Sequence, residues 1–219
     1  NGLVGYWSFD GYDIDWSSTT AEILDRSGNN NHGNAVGLTK NSATIGKRGQ
    51  ALSFDGDDYV ETADIDITNT GVTVAGWVKL DTINPPDGVS QAIASKPSSY
   101  GLEINSAGKV TCVLATETKS WDWCATKSNT TLNTNNWYFV AFTEDANGYK
   151  YYVNGEYDGG GTDYKGTIIT NDNNLFIGSR GYFSRFLDGA IDEVRIYNRA
   201  LSADEIRRLY NAGTLKIRK

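Results

Sequence analysis

Apolar and polar residues alternate with a period of two along most of this chain, the pattern of half-buried β-strands. The run GVTVAGWVKL (71–80) sets Val72, Val74, Gly76 and Val78 on one side, and Thr73, Ala75, Trp77 and Lys79 on the other. Comparable segments are LVGYWSF (3–9), ALSFDG and DYVETA around Asp55–Asp58, QAIASK (91–96), YGLEIN (100–105) and KVTCVLA (109–115). NNWYFVAFTED (135–145), GYKYYVNGEY (148–157), NLFIGS (174–179) and FLDGAIDEVRIYN (186–198) continue the series. Clusters of Gly, Asn and Asp separate them, so roughly a dozen strands at regular spacing predict a two-sheet β-sandwich. In YVNGE, Asn154-Gly155 is a hairpin turn signal. One helix breaks the pattern, at 202–211. Ser202 and Glu205 form a capping box, Ile206, Leu209 and Tyr210 give an apolar stripe, and Gly213 is the expected stop.

Composition narrows the function classes. The 219 residues include 6 Trp, 13 Tyr and 7 Phe, enough for a sizeable core in one domain, placed at 1–213 with a tail over 214–219. A net charge of −7 argues against nucleic acid, whose phosphates need clustered cations. No apolar run reaches membrane-spanning length, so no membrane insertion is expected. The expected state of the domain is a monomer.

The segment KVTCVLATETKSWDWCATK reads as a hairpin turning at Glu117–Thr118. In that register Cys112 faces Cys124 and Val113 faces Trp123. The pair is then either a cross-strand disulfide, which supports secretion, or two buried thiols. Val110, Cys112 and Leu114 share the core side, which puts Trp121 and Trp123 together on the other face. Two indoles side by side form a platform on which sugar rings stack, or else they pack between strands. A second set lies in SRGYFSRFLDG, where Tyr182 and Phe183 sit between Arg180 and Arg185. Tyr100 and Trp16 are further candidates from neighbouring loops.

Several blocks in order, GLVGYWSFDG, LDRSGNNNHGNAVG, GQALSFDGDDYVE, VTVAGWVKL, NNWYFVAFTED, YKYYVNGE, NLFIGSR and LDGAIDEVRIYNRALSADEI, resemble the laminin-G-like, concanavalin A-like jelly-roll domains of extracellular bacterial proteins. The resemblance runs from Leu3 to Tyr210. It implies an all-β, two-sheet antiparallel jelly roll with one short C-terminal helix. It also implies a carbohydrate-binding module, an adhesion domain or an accessory domain of a secreted enzyme, and a fold alone does not choose among them. Domains of this kind often carry a structural calcium (Ca2+) tying the N-terminal segment to the last strand. By that resemblance Asp25 and Asp192 are side-chain ligands, oxygens around Asn30 and His32 complete the shell, and Asp10 stands in reserve. The same Asn-rich loop also reads as a plain set of Asx-turns.

Catalysis finds little support in the sequence. A glycoside hydrolase needs two carboxyls facing one substrate. Asp64 and Asp66 in TADIDIT have the acid–apolar–acid spacing but lie in a turn-rich segment. Strand alternation would send the adjacent Asp192 and Glu193 to opposite faces. With His32 the only histidine, no Ser-His-Asp set is legible. The expectation is a non-catalytic extracellular domain that binds a polysaccharide or glycan. The alternatives are an adhesion or surface-assembly domain that binds protein, and a glycoside hydrolase of the same fold.

Overall fold

The computed structural model describes residues 2–68, 71–85, 87–164, 166–182 and 184–214. Among these, alternation resolves into fifteen strands. They are β1 (Leu3–Trp7), β2 (Asn34–Val36), β3 (Ala43–Ile45), β4 (Gln50–Asp55), β5 (Tyr59–Glu61), β6 (Gly71–Leu80), β7 (Ser90–Lys96) and β8 (Tyr100–Asn105). The rest are β9 (Val110–Thr116), β10 (Lys119–Trp123), β11 (Trp137–Asp145), β12 (Gly148–Val153), β13 (Glu156–Gly161), β14 (Phe176–Ile177) and β15 (Asp188–Tyr197), followed by one helix, α1 (Ala203–Thr214). The predicted tail lies outside the described residues beyond Thr214.

The strands form two sheets with antiparallel pairing throughout. One runs β13-β12-β11-β6-β15-β4-β3, with β1 also on β15, and the other runs β10-β9-β8-β7-β14-β5-β2. The predicted alternation of β6 holds: Val72, Val74 and Val78 enter the main core with Val140, Phe142, Ile93, Leu102, Ile104 and Leu114. Its other face, with Ala75 and Trp77, joins Phe139, Ala141 and Tyr152 under Ile206, Leu209 and Tyr210. A helix therefore seals the outer side of the larger sheet.

The capping box is present: Glu205 Oε2 accepts from the Ser202 amide at 2.9 Å, and Ser202 Oγ from the Glu205 amide at 3.3 Å. The helix does not stop at Gly213. It runs on to Thr214, and Gly213 serves close packing instead, since a Cβ there would lie 2.4 Å from Trp77 Nε1. Asn154 and Gly155 both take positive φ, 52° and 83°, as the hairpin signal predicts.

β15 departs from alternation in the middle. Its first half, Asp188–Ile191, pairs with β4, and its second half, Val194–Tyr197, pairs with β1. Between them the register against β6 shifts, and Glu193 adopts φ +56°. This β-bulge overturns the opposite-face expectation for the two acids. Asp192 Oδ2 accepts from the Arg48 amide at 2.8 Å, while Glu193 Oε2 lies 3.9 Å from the Arg48 guanidinium and 2.6 Å from that of Arg195. Both carboxylates are buried on the same side.

Candidate functional site

The outer face of the smaller sheet, away from the core, carries the most developed constellation. In β8, Tyr100, Leu102 and Ile104 point into the core, so Glu103 points out. In β9, Val110, Cys112 and Leu114 point in, and Thr111 and Val113 point out. Trp123 pairs with Val113 across the β9–β10 hairpin, and Cys112 and Cys124 form a disulfide that fastens its base. Trp121 and Trp123 are accordingly half-buried on the outer face.

Residues 178–182 and 184–187 lie beside β7. Ala92 donates its amide to Arg185 O at 2.8 Å, and Gly178 to Ile93 O at 3.0 Å. This brings two guanidinium groups onto the indoles. Arg180 lies 4.9 Å from the Trp123 ring and 5.9 Å from Trp121, and Arg185 lies 5.4 Å from Trp123. Such cation–π contacts fix ring orientation at modest energy.

Glu103 organises the floor. It is fully buried and accepts from Arg180 Nε and Nη2 at 2.5 and 2.6 Å, from Ser90 Oγ at 2.6 Å, and from Trp123 Nε1 at 3.4 Å. A bidentate guanidinium holds a buried carboxylate where a single point charge would not. Arg185 pairs with Asp87. Burial opposes the charge of Asp87, yet the bonds from Arg185 and the Val89 amide leave its pKa below the ordinary value. Among the described residues, Arg185 Nε and the buried hydroxyl of Ser95, which pairs with Gly101 in the same sheet, have no hydrogen-bond partner.

Two hollows adjoin this platform. One, about 360 Å³, is lined by Pro97, Asn173, Asn174, Phe176, Arg180 and Tyr182 among others. The other, about 200 Å³, is lined by Val89, Asn105, Thr111, Trp123 and Lys127. Burial pushes the pKa of Lys127 down, and its ammonium donates to the Cys124 carbonyl. Tyr182 is about half exposed, stands edge-on to Phe176 at 4.9 Å, and donates its hydroxyl to Glu61, a bond that raises its pKa.

The structure thus brings Trp121, Trp123, Arg185 and Tyr182 to one face of one sheet. Phe183 lies outside the described residues. Tyr100 does not belong to this face: it is fully buried and its hydroxyl donates to Ile65 O at 2.8 Å, because the inward alternation of β8 begins with it. Trp16 lines a separate hollow of about 280 Å³ with Glu22 and Leu38. Sequence reasoning passed over Glu103, although its position opposite Tyr100, Leu102 and Ile104 in YGLEIN marked it as outward-facing.

The residues expected to hold calcium do not form one set. Both oxygens of Asp25 are taken, Oδ1 by the Tyr6 and Ser27 amides at 2.9 and 2.8 Å, Oδ2 by Ser27 Oγ at 2.7 Å and the Asn31 amide at 3.0 Å. His32 Nδ1 accepts from the Asp25 amide at 3.0 Å, and Asn30 is an exposed turn residue with φ +60°. This cluster is a self-satisfied loop. Asp192 differs: it is fully buried and its Oδ1 has no partner. Burial chiefly, with the nearby charges of Glu193 and Asp10, raises its pKa to about 8. Asp10 Oδ1 accepts from the Gln50 amide at 3.0 Å, so both acids abut the turn between β3 and β4. A hard cation takes oxygen ligands, and two carboxylates are such a pair.

The sequence profile of the concanavalin A-like lectin/glucanases superfamily matches residues 54–207. The chain belongs to this superfamily. No curated protein matches it. Among solved structures, it resembles domain 4 of an extracellular GH43 arabinanase from Geobacillus stearothermophilus, in complex with arabinotriose, at 20% identity and TM-score 0.69, covering 95% of this chain and 98% of that one. The binding domain of Paraclostridial Mosquitocidal Protein 1 aligns at 15% identity and TM-score 0.70, over 96% of this chain and 52% of that one. The botulinum neurotoxin serotype D ligand-binding domain, in complex with N-acetylneuraminic acid, aligns at 17% and TM-score 0.65, over 96% and 51%. The chain spans about half of each toxin domain, and at these identities the likeness establishes the fold.

Proposed function

We propose that this is a non-catalytic carbohydrate-binding domain of an extracellular protein, which holds a polysaccharide or glycan on the outer face of its smaller sheet. The observation that carries the reading is the indole pair, Trp121 and Trp123, half-buried on one face with Arg180 against both, Arg185 against Trp123, and Trp123 hydrogen-bonded to Glu103. Aromatic faces take the C–H faces of sugars, and fixed polar groups around them take hydroxyls. The arabinotriose and N-acetylneuraminic acid complexes of the structural neighbours add support for a sugar ligand. The candidate acids are otherwise engaged, which favours binding over hydrolysis. Glu103 is held by Arg180, and Asp64 and Asp66 both pair with the buried Lys96.

An affinity-gel panel of soluble and insoluble polysaccharides, arabinan included, tests this. Trp123→Ala is expected to weaken retention by about 2 kcal/mol, roughly 30-fold, with the circular dichroism spectrum unchanged. Full retention by the variant would overturn the assignment of this face. Retention of no glycan would favour the adhesion alternative, and release of sugar the hydrolase.

We also propose a structural calcium at Asp192 and Asp10, supported by the orphaned Asp192 Oδ1. Chelator is then expected to lower the melting temperature and added calcium to restore it, with Asp192→Asn insensitive to both. An unchanged melt of the parent protein in chelator would remove the proposal.

A further inference from the structure

We infer, on the glycan-binding reading above, that the ligand is an uncharged, linear oligosaccharide several units long, which crosses Arg180 from the indole pair into the cleft between Asn173 and Tyr182. Arg180 lines the larger hollow, and its guanidinium covers Trp123, which lines the smaller one. The two hollows therefore lie on either side of one stacked pair, Arg180 and Trp123. A lone sugar ring stacked on the indoles would leave the larger hollow unused, whereas a chain passes through both.

The larger hollow is built for a polar ring rather than for an apolar ligand. Phe176 and Tyr182 supply aromatic surface, and amide side chains supply paired donors and acceptors. Those amides are fixed in advance. Asn173 Nδ2 donates to Pro97 O at 3.0 Å, and Asn174 Nδ2 to Glu61 Oε1 at 2.8 Å. Behind them Lys96, fully buried, donates to Asn171 O at 2.7 Å and Asn173 O at 2.8 Å, which ties this loop to β7. A loop held this way loses little conformational entropy on binding.

Charge selects against anionic sugars. A uronic or sialic carboxylate stripped of water needs a cation. Around these hollows Arg180 is matched by Glu103 and Arg185 by Asp87, while Lys127 lies in the field of Asp163, Asp122 and Glu103 and donates to the Cys124 carbonyl. The exposed acids beside them, Asp122 and Asp172, add negative potential.

The test is calorimetric titration with arabinan-, xylan- and β-glucan-derived oligosaccharides, from the monosaccharide to the hexasaccharide, alongside polygalacturonate. For the neutral series that binds, affinity is expected to rise tenfold or more with chain length and then level off, with little dependence on salt. Trp123→Ala should weaken every member of that series. Asn173→Ala or Tyr182→Ala should weaken the long members and leave the disaccharide unchanged. Affinity independent of length, or polygalacturonate binding tighter than every neutral polymer and weakening with salt, would overturn this inference while leaving a glycan site in place. Binding of no carbohydrate at all would overturn the glycan reading with it.

Discussion

Raising the pH from 5 to 8 is expected to lower the stability of this protein, and Glu144→Gln is expected to remove a large part of that loss. Glu144 lies on β11 with the same parity as Val140 and Phe142, so it faces the core. It is fully buried, and neither of its oxygens has a hydrogen-bond partner. Burial first, and the charge of Asp145 second, lift its pKa from 4.5 to about 8. Between those two values the folded protein keeps a proton that the unfolded chain has released. The contribution of Glu144 is therefore whole below about 4.5 and falls as pH rises towards about 8, at up to about 1.4 kcal/mol per pH unit. Glutamine is isosteric and uncharged throughout, so it flattens this slope. Urea unfolding at several pH values, in chelator, measures it. The slope remaining in the variant belongs to groups shifted the same way, Asp192 at about 8 and Asp58 at about 6. Identical slopes in parent and variant would show that Glu144 ionises freely in the fold.

Glu144 also shows how far local pattern reaches. NNWYFVAFTED marks the strand correctly, but Trp137, Phe139 and Ala141 on one parity and Tyr138, Val140 and Phe142 on the other are all apolar, so the pattern does not choose a face for Glu144, and the usual preference of carboxylates for water points the wrong way. The sandwich, the hairpin carrying Trp121 and Trp123, the facing of Cys112 and Cys124 and the capped helix follow from periodicity and turn chemistry, because each depends on neighbours a few residues apart, whereas the choice of disulfide over thiols does not. The three-residue strands β2 and β3 are too short to alternate visibly. The bulge at Asp192 and Glu193 is invisible for another reason. It is set by the hand-over of β15 from β4 to β1, whose residues are far away in sequence. Tyr100 opens the expected strand YGLEIN and the observed β8 alike, and its inward place there rules out the ligand role expected of it as a loop neighbour. The site itself was half legible. Alternation put the indoles on a shared outer face, but only the hydrogen bonds of Gly178 and Arg185 to β7 show why Arg180 meets both indoles and Arg185 meets Trp123.

That covering makes Arg180→Ala the most damaging single change expected on the smaller sheet. The substitution strands Glu103, fully buried, with Ser90 Oγ and Trp123 Nε1 as its remaining partners. Removing one member of a buried ion pair costs about 3–5 kcal/mol, because the other charge stays desolvated and uncompensated. Replacing both members removes that charge as well. The double variant Glu103→Gln with Arg180→Ala is therefore expected to be more stable than Arg180→Ala alone, by about 1–3 kcal/mol. Lysine at position 180 should rescue only in part, since an ammonium cannot make both parallel bonds to the carboxylate. Glycan affinity is expected to divide differently. Stability recovers in the double variant while binding does not, because the Arg180 guanidinium, the nearer of the two over Trp123 and the one also over Trp121, is absent from both. Equal stability of the single and double variants would show that Glu103 escapes to solvent when Arg180 is lost. Recovery of binding along with stability would show that Arg180 serves the sheet and not the ligand.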